Sequence, residues 1–360
     1  MKSTKWIKIF FGLSLIGVLF VGGVNYIVDP FNIFHTKFLK EQFQMNERFM
    51  KIEYLEENKN KYNSYMFGSS RIGTTPPNVI DKYLENAKFY NFTVSGANFY
   101  DYLTHLKFFI KNEYPIKNLY LQIDIDNMRN FSWAESNYLV KYHPFILEQS
   151  LHKYYLLYLT GLFPFNIKGK IIENINQKDL VGYYLETGIW TRPIKEKKIQ
   201  ENPEKFIKEE ISFNVQNKRT IKNTQFENNN KALKQIVDLC LENNINLIIF
   251  TTPHNKNMMD TFIVEDYLKF LKMISIYTDF YDFTGYNTIT TENINYYESS
   301  HYRENVGKLI AAKIFNDKSV EVPEDFGVLV TKDNIDEHLE NLRKQIEEYD
   351  LLKLGIDSNK

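Results

Sequence analysis

The chain has 360 residues, 43% of them apolar, with 44 Lys plus Arg against 45 Asp plus Glu. That length carries one large α/β domain or two smaller ones around a sizeable core, and the balanced charge lacks the strong basic bias of a nucleic-acid-binding surface. The single cysteine, Cys240, excludes an internal disulfide and a zinc site built from cysteines.

The chain opens with Lys2, Lys5 and Lys8, and residues 9–28 then carry no charge and are mostly Ile, Leu, Val, Phe and Gly. A helix of about twenty such residues spans roughly 30 Å, one hydrocarbon core. A cleaved signal peptide has a shorter apolar region and a small-x-small site. Here the run ends in Val24-Asn25-Tyr26-Ile27-Val28-Asp29-Pro30, which predicts an uncleaved anchor. The lysines before it should stay in the cytoplasm, with everything after Asp29 outside the cytoplasmic membrane.

An aromatic connector follows at 31–34. Residues 40–59 read as a charged helix with Phe43, Phe49, Ile52 and Leu55 on one side. A regular alternation then begins: a strand at 63–67, a helix from 77 to 85 with Pro77 in its first turn, a strand at 88–92, a helix at 98–111 striped by Tyr102, Leu106 and Phe109, and a strand at 118–123. About a hundred residues, 124–225, break the rhythm and read as an insertion of short helices and loops rich in Tyr, Phe and Pro. It resumes with a helix at 225–243, whose apolar positions are Leu233, Ile236, Val237, Cys240 and Leu241. The strand 245–251, the helix 263–276, the strand 280–283 and the helix 303–315 complete it. In the tail, residues 335–354 form a charged amphipathic helix with Leu339, Leu342, Ile346, Tyr349 and Leu352 near one face. That helix either packs back on the domain or binds a partner. The organisation is therefore a basic end and anchor at 1–30, a connector and charged helix at 31–62, an α/β domain at 63–317 with an insertion at about 125–225, and the tail at 318–360.

Strands alternating with helices imply parallel pairing with helices on both faces, and such strands read as short apolar runs, as "INLIIFTT" (245–252) does. Ligands in open sheets of this kind bind beyond the carboxyl ends of the strands. That places the segments 68–73, 93–98, 124–130, 252–255 and 285–301 where chemistry is expected.

The first of these sits in "FGSSRIG" (67–73), two serines between glycines. A serine hydroxyl needs a base to take its proton. Of the seven histidines, His301 in "YYESSHYRENVG" follows the last strand and precedes the last helix. Glu298 stands three residues before it, where a carboxylate curling back to Nδ1 fixes the tautomer while Nε2 faces the serine. Glu298 and Ser300 also suit capping of the helix that follows, and the two uses are compatible.

The residues "FGSSR" after the first strand, "SGAN" after the second and "ESSHYRENVG" before the last helix resemble blocks of the SGNH (GDSL-like) hydrolase superfamily. The nearer resemblance is to its membrane-anchored, extracytoplasmic branch, which includes proteins of D-alanyl-lipoteichoic acid synthesis and alginate O-acetyltransferases; "NYIVDPFNIF" (25–34) is similar to segments of such anchored members. The resemblance covers scattered blocks over residues 25–317. It implies a three-layer α/β/α sandwich with a flavodoxin-like parallel sheet of about five strands, behind an N-terminal transmembrane helix. The family's Gly-Asp-Ser falls on Gly68-Ser69-Ser70, making Ser70 the nucleophile; serine commonly replaces the aspartate in this branch. The second-block glycine falls on Gly96, whose backbone N–H helps bind an oxyanion. The final Asp-x-x-His falls on Glu298-Ser299-Ser300-His301, with glutamate in place of aspartate. The third block, Gly-x-Asn-Asp in the family, meets "QIDIDNMRN" (122–130), which has no glycine. Asn127 is the oxyanion donor it offers, with Asp124 and Asp126 as structural residues.

Arg71, next to Ser70, either binds an anionic substrate group or pairs with a carboxylate. "ETGIWTRP" (186–193) groups Gly, Trp and Arg as sugar and carboxylate sites do, or as ordinary packing of an aromatic-rich insertion does. The resemblance implies a serine O-acyltransferase or esterase that acts on a cell-envelope polysaccharide or its lipid-linked precursor through an acyl-serine. It implies no metal or organic cofactor, and a multi-spanning membrane acyltransferase as partner and acyl donor. The alternative is a catalytically inactive anchored accessory that binds a glycan or an envelope-assembly partner. Glu298, the glycine-less third block and the charged tail favour it.

Overall fold

The structure is a computed structural model, and it describes residues 2–29, 31–36, 46–128, 141–161, 181–215, 219 and 226–355. Pro30, the start of the 40–59 helix and parts of the insertion (129–140, 162–180, 216–218 and 220–225) therefore lie outside the described residues, as does the end of the tail. The chain divides into two compact units, Met1–Glu56 with Trp133–Gly182 and Glu57–Ser132 with Tyr183–Lys360.

In the first unit, Lys2–Val28 is one helix, and it is the one helix among the described residues long and apolar enough to cross a membrane, with residues 4–20 exposed. This is consistent with a single-pass anchor. The charged helix of the connector runs over Glu47–Glu57, with Phe49 stacked on Tyr154 of the helix Leu151–Thr160 at 5.0 Å between ring centroids.

The second unit is a mixed α/β body. Its strands are β1 (Ser64–Gly68), β2 (Phe89–Thr93), β3 (Asn118–Ile123), β4 (Gly182–Tyr184), β5 (Ile189–Thr191), β6 (Asn246–Thr251), β7 (Phe280–Asp282), β8 (Tyr296–Glu298), β9 (His301–Tyr302) and β10 (Val328–Val330). Six of them make the central sheet, in the order β10-β7-β6-β3-β1-β2. The five strands expected from the sequence pair in parallel. The sixth, β10, comes from the tail and pairs antiparallel with β7; three residues flanked by polar turns carry too little periodicity to be read as a strand.

The buried strands use both faces, as the two-residue period requires. In β1, Tyr65 and Phe67 pack on Phe109 at 4.8 and 5.7 Å, while Met66 between them joins the cluster containing Ile80, Phe250, Ile310 and Phe326. The helix carrying Phe109, Phe99–Lys111, starts at a capping box: the Asn98 side chain accepts from Asp101 N–H and Asp101 accepts from Asn98 N–H. It packs against the helix Phe226–Glu242. There Leu241, read as part of the apolar stripe, is 73% exposed, because it sits about 100° around the helix from Cys240. The helix expected over 77–85 is only Asn78–Asp81. The Asp81 carboxylate accepts from Phe89 N–H at 2.7 Å and so ties the segment to the start of β2.

The tail helix, Ile335–Lys353, packs on the helix Val264–Ser275 and buries Ile335, Leu342 and Ile346. Tyr349 stacks on Tyr286, Gln345 accepts from Tyr286 N–H, and His338 Nε2 meets Asp282 at 2.7 Å. Of the two readings of this segment, packing back on the domain is the one realised. Burial pushes the His338 imidazole down, and the Asp282 carboxylate more than offsets this, leaving it raised. Burial likewise pushes Asp282 up, and His338 with Thr251 and Thr284 leave it lowered. The histidine's stabilisation is then complete below about pH 6.5 and lost as pH rises through its folded value. The aspartate's is present above about pH 3.9 and lost as pH falls through its lowered value. Hydrogen-exchange protection of the tail helix, corrected for intrinsic exchange, should peak between these limits and decline above about pH 6.5. His338→Gln should flatten the alkaline decline; an unchanged decline in that variant would show that another group sets it.

Candidate active site

Parallel pairing puts the carboxyl ends of β1, β2, β3 and β6 on one edge of the sheet, and the two serines sit at the first of these. The Gln122 side chain, from β3, accepts from Ser69 N–H at 3.1 Å and from Ser69 Oγ at 3.2 Å. Ser69 is thereby turned inward and buried. Ser70 opens the single 3₁₀ turn Ser70–Ile72. Its N–H stands at the first position of that turn, where helical geometry supplies no partner, and its Oγ lies 2.7 Å from His301 Nε2.

His301 is held by a tight hairpin. Strands β8 and β9 pair antiparallel with Glu298 opposite His301, and Ser299 and Ser300 form the turn. This places Glu298 Oε1 on His301 Nδ1, while its other oxygen accepts from Ser300 N–H at 2.9 Å. The longer glutamate side chain is thus accommodated by the hairpin register. Burial pushes the Glu298 carboxyl up, but the facing His301, the Ser300 N–H and the nearby Arg192 outweigh it and hold the group well below the usual carboxylate range. Glu298 is therefore an acceptor, so Nδ1 carries the proton and Nε2 is left to accept from the Ser70 hydroxyl.

Arg71 engages the protein through each of its three guanidinium nitrogens. Its two terminal nitrogens donate to Asp124 at 2.7 Å and to Asp126 at 2.6 Å, and its Nε donates to Ser300 O at 3.2 Å. Of the two readings of Arg71, carboxylate pairing is the one realised, and the same side chain fastens the Ser70 turn to the His301 hairpin. Asp124 is itself saturated: it also takes Gln122 Nε2 at 3.1 Å, Thr252 Oγ1 at 3.2 Å and Asp126 N–H at 2.7 Å. Asn127, expected as an oxyanion donor, is buried, accepting from Asp124 N–H and donating to Ala97 O, both at 2.7 Å. It pins the loop after β2 to the loop after β3. Gly96 in that loop has φ +64°, a left-handed conformation that favours glycine.

Trp190 of β5 is the residue that sequence reasoning left undecided. It is 3% exposed, packs edge-on against His301 at 5.5 Å between ring centroids, and donates its backbone N–H to Gly73 O at 3.0 Å. Arg192 lies over its indole at 5.4 Å. The "ETGIWTRP" segment therefore walls the histidine rather than presenting an open aromatic platform. The indole occupies the space that a Cβ on Gly73 would need. Gly73→Ala should lower stability by about 1–3 kcal/mol through overpacking, and Trp190→Phe in the same chain should restore part of it. Urea unfolding of the two variants measures this, and equal midpoints for Gly73→Ala and the parent would show that the wall yields freely.

No protein-family model matches the chain, and a search of curated proteins finds no match.

Proposed function

We propose that the chain is a membrane-anchored serine acyltransferase or esterase of the SGNH type, with a three-layer, flavodoxin-like α/β/α domain on the extracytoplasmic side. The observation that carries this reading is the row Ser70 Oγ, His301 Nε2, His301 Nδ1, Glu298 at the carboxyl ends of the parallel strands. The order β2-β1-β3-β6-β7 and apolar side chains on both faces of the sheet support the architecture. The blocks "FGSSR", "SGAN" and "ESSHYRENVG" support the family.

In this reading Ser70 Oγ attacks the carbonyl carbon of an acyl ester or thioester, and His301 Nε2 takes the hydroxyl proton. Glu298 holds the resulting imidazolium. The backbone N–H groups of Ser70 and Gly96 receive the oxyanion. Collapse breaks the bond to the leaving group, which takes the proton from Nε2, and leaves acyl-Ser70. A hydroxyl of a cell-envelope glycan, or water, then attacks the ester; its proton passes to Nε2 and returns to Ser70 as the acyl group departs. A multi-spanning membrane acyltransferase is the proposed acyl source. The resemblance supports the glycan acceptor and this partner.

A fluorophosphonate tests the chemistry directly. Attack by Ser70 forms a phosphorus–oxygen bond, expels fluoride and passes the serine proton to His301. Peptide mapping of the full-length protein in detergent should find the adduct on Ser70. An unlabelled chain whose fold is intact would favour the non-catalytic accessory reading.

A further inference from the structure

We infer that the helix Leu151–Thr160 is a membrane-inserted element, packed beside the anchor with its C-terminal half in the acyl region of the bilayer. The inference rests on the reading of Lys2–Val28 as a membrane span. With Lys8 marking one boundary, a span of about twenty residues reaches the far boundary near Val28. At 1.5 Å per residue, Asn25 then lies roughly 5 Å inside that boundary and Gly22 roughly 9 Å inside.

A carboxamide at that depth needs partners, because hydrocarbon offers none. Asn25 Nδ2 has them: it is within hydrogen-bonding distance of Leu159 O at 2.8 Å, Gly161 O at 2.9 Å and Tyr158 O at 3.3 Å. Leu159 O belongs to the last turn of Leu151–Thr160 and Gly161 O to its C-cap, where a helix end leaves carbonyls without helical partners. The anchor and the short helix thus complete each other's polar groups at a level where water does not. The two helices meet at Gly22, where a Cβ would stand in ordinary contact with Leu159.

The direction of the short helix is set by its other contacts. Tyr155 donates to Glu53 at 3.0 Å and Tyr154 stacks on Phe49, while the Tyr158 hydroxyl donates to Asp29 at 2.9 Å, just past the span. The helix therefore runs from the charged connector toward the span. Its exposed residues are His152 and Lys153 at the start, Leu156 and Leu157, 61% and 51% exposed, in the second half, and Thr160 at the end, whose hydroxyl is satisfied within the helix by Leu156 O at 2.8 Å. Tyr154 and Tyr158 occupy the face that is buried within the unit. Val24 and Ile27 of the anchor, on either side of Asn25, are exposed as well, and apolar surface at this level fits acyl chains.

Nitroxide labels on single cysteines in a Cys240→Ala background, placed at Ile16, His152, Leu156 and Leu157 of the full-length protein in phosphatidylglycerol–phosphatidylethanolamine vesicles, test this. All four positions are exposed, so labelling leaves the fold in place. Collision with oxygen, which partitions into hydrocarbon, is compared with collision with a water-soluble nickel chelate. The labels at 156 and 157 should give an oxygen-to-nickel ratio well above that at 152 and below that at 16, which lies near the bilayer midplane. A ratio at 156 and 157 matching that at 152, with 16 in lipid, overturns the insertion and leaves the anchor standing. Protection from both reagents at 156 and 157 overturns the lipid as occupant in favour of a protein partner. A label at 16 that collides with nickel overturns the anchor and the inference with it.

Discussion

Ser70→Ala should abolish covalent labelling by a fluorophosphonate and lower turnover of a chromogenic acyl ester by at least ~10⁴-fold, since nothing else stands where the attacking oxygen must be. The fold should survive. The Ser70 hydroxyl is half-buried and its side-chain partner is His301 Nε2, so the change in unfolding free energy should stay within about 0.5 kcal/mol. Ser69→Ala makes the informative contrast, because the two serines are adjacent and differ only in where the turn points them. Ser69 is buried, bonded to Gln122 and accepting from Arg71 N–H. Its loss should cost about 1 kcal/mol of stability and leave Ser70 labelled. Mass spectrometry of the labelled peptides together with urea unfolding checks both. Labelling that persists in Ser70→Ala, or disappears in Ser69→Ala alone, would remove Ser70 from the mechanism.

The centre of the sheet was legible because β1, β2 and β3 are buried throughout and such strands have few ways to be written. "INLIIF" and "NLYLQI" are short apolar runs whose flanking helices fix the parallel sense, and the edge rule then pointed to the loops holding Ser70 and His301. The antiparallel edge was not legible: Val328 and Leu329 are exposed, so no burial pattern marks β10. Within the site, the i, i+3 spacing of Glu298 and His301 was readable as a reach, but the hairpin that makes a glutamate fit was not, since two- and three-residue strands carry no periodicity. Arg71, Asp124 and Asp126 each lie at a strand end, and a rule pairing charges across neighbouring parallel strands would have joined them. Trp190 carried no comparable signal. Its place beside His301 depends on how the insertion returns to the sheet, a long-range contact that local sequence does not encode.

Glu298→Gln should reduce Ser70 labelling by about 10⁴-fold while leaving the fold in place. The carboxylate performs two acceptor tasks at once, one oxygen facing His301 Nδ1 and the other taking Ser300 N–H at 2.9 Å. A glutamine has one acceptor and one donor. If its carbonyl keeps Ser300, its amide faces Nδ1 and stabilises the tautomer with the proton on Nε2, which cannot take a proton from Ser70. If its carbonyl faces Nδ1, two N–H donors confront each other at Ser300 and the hairpin turn loses a bond. Glu298→Asp keeps both acceptors and loses only reach, so it should retain more labelling than Glu298→Gln. The pH profile adds a second readout. Against the upward push of burial, His301 and the Ser300 N–H hold the Glu298 carboxyl well below the usual range, so what it contributes is present above the unfolded value of about 4.3 and is lost only as pH falls through the lowered folded value. The labelling rate of the parent chain should therefore show no inflection from this carboxylate above about pH 4. A Glu298→Gln chain that labels within about tenfold of the parent would mean that Glu298 merely closes the hairpin and that His301 finds its tautomer without it.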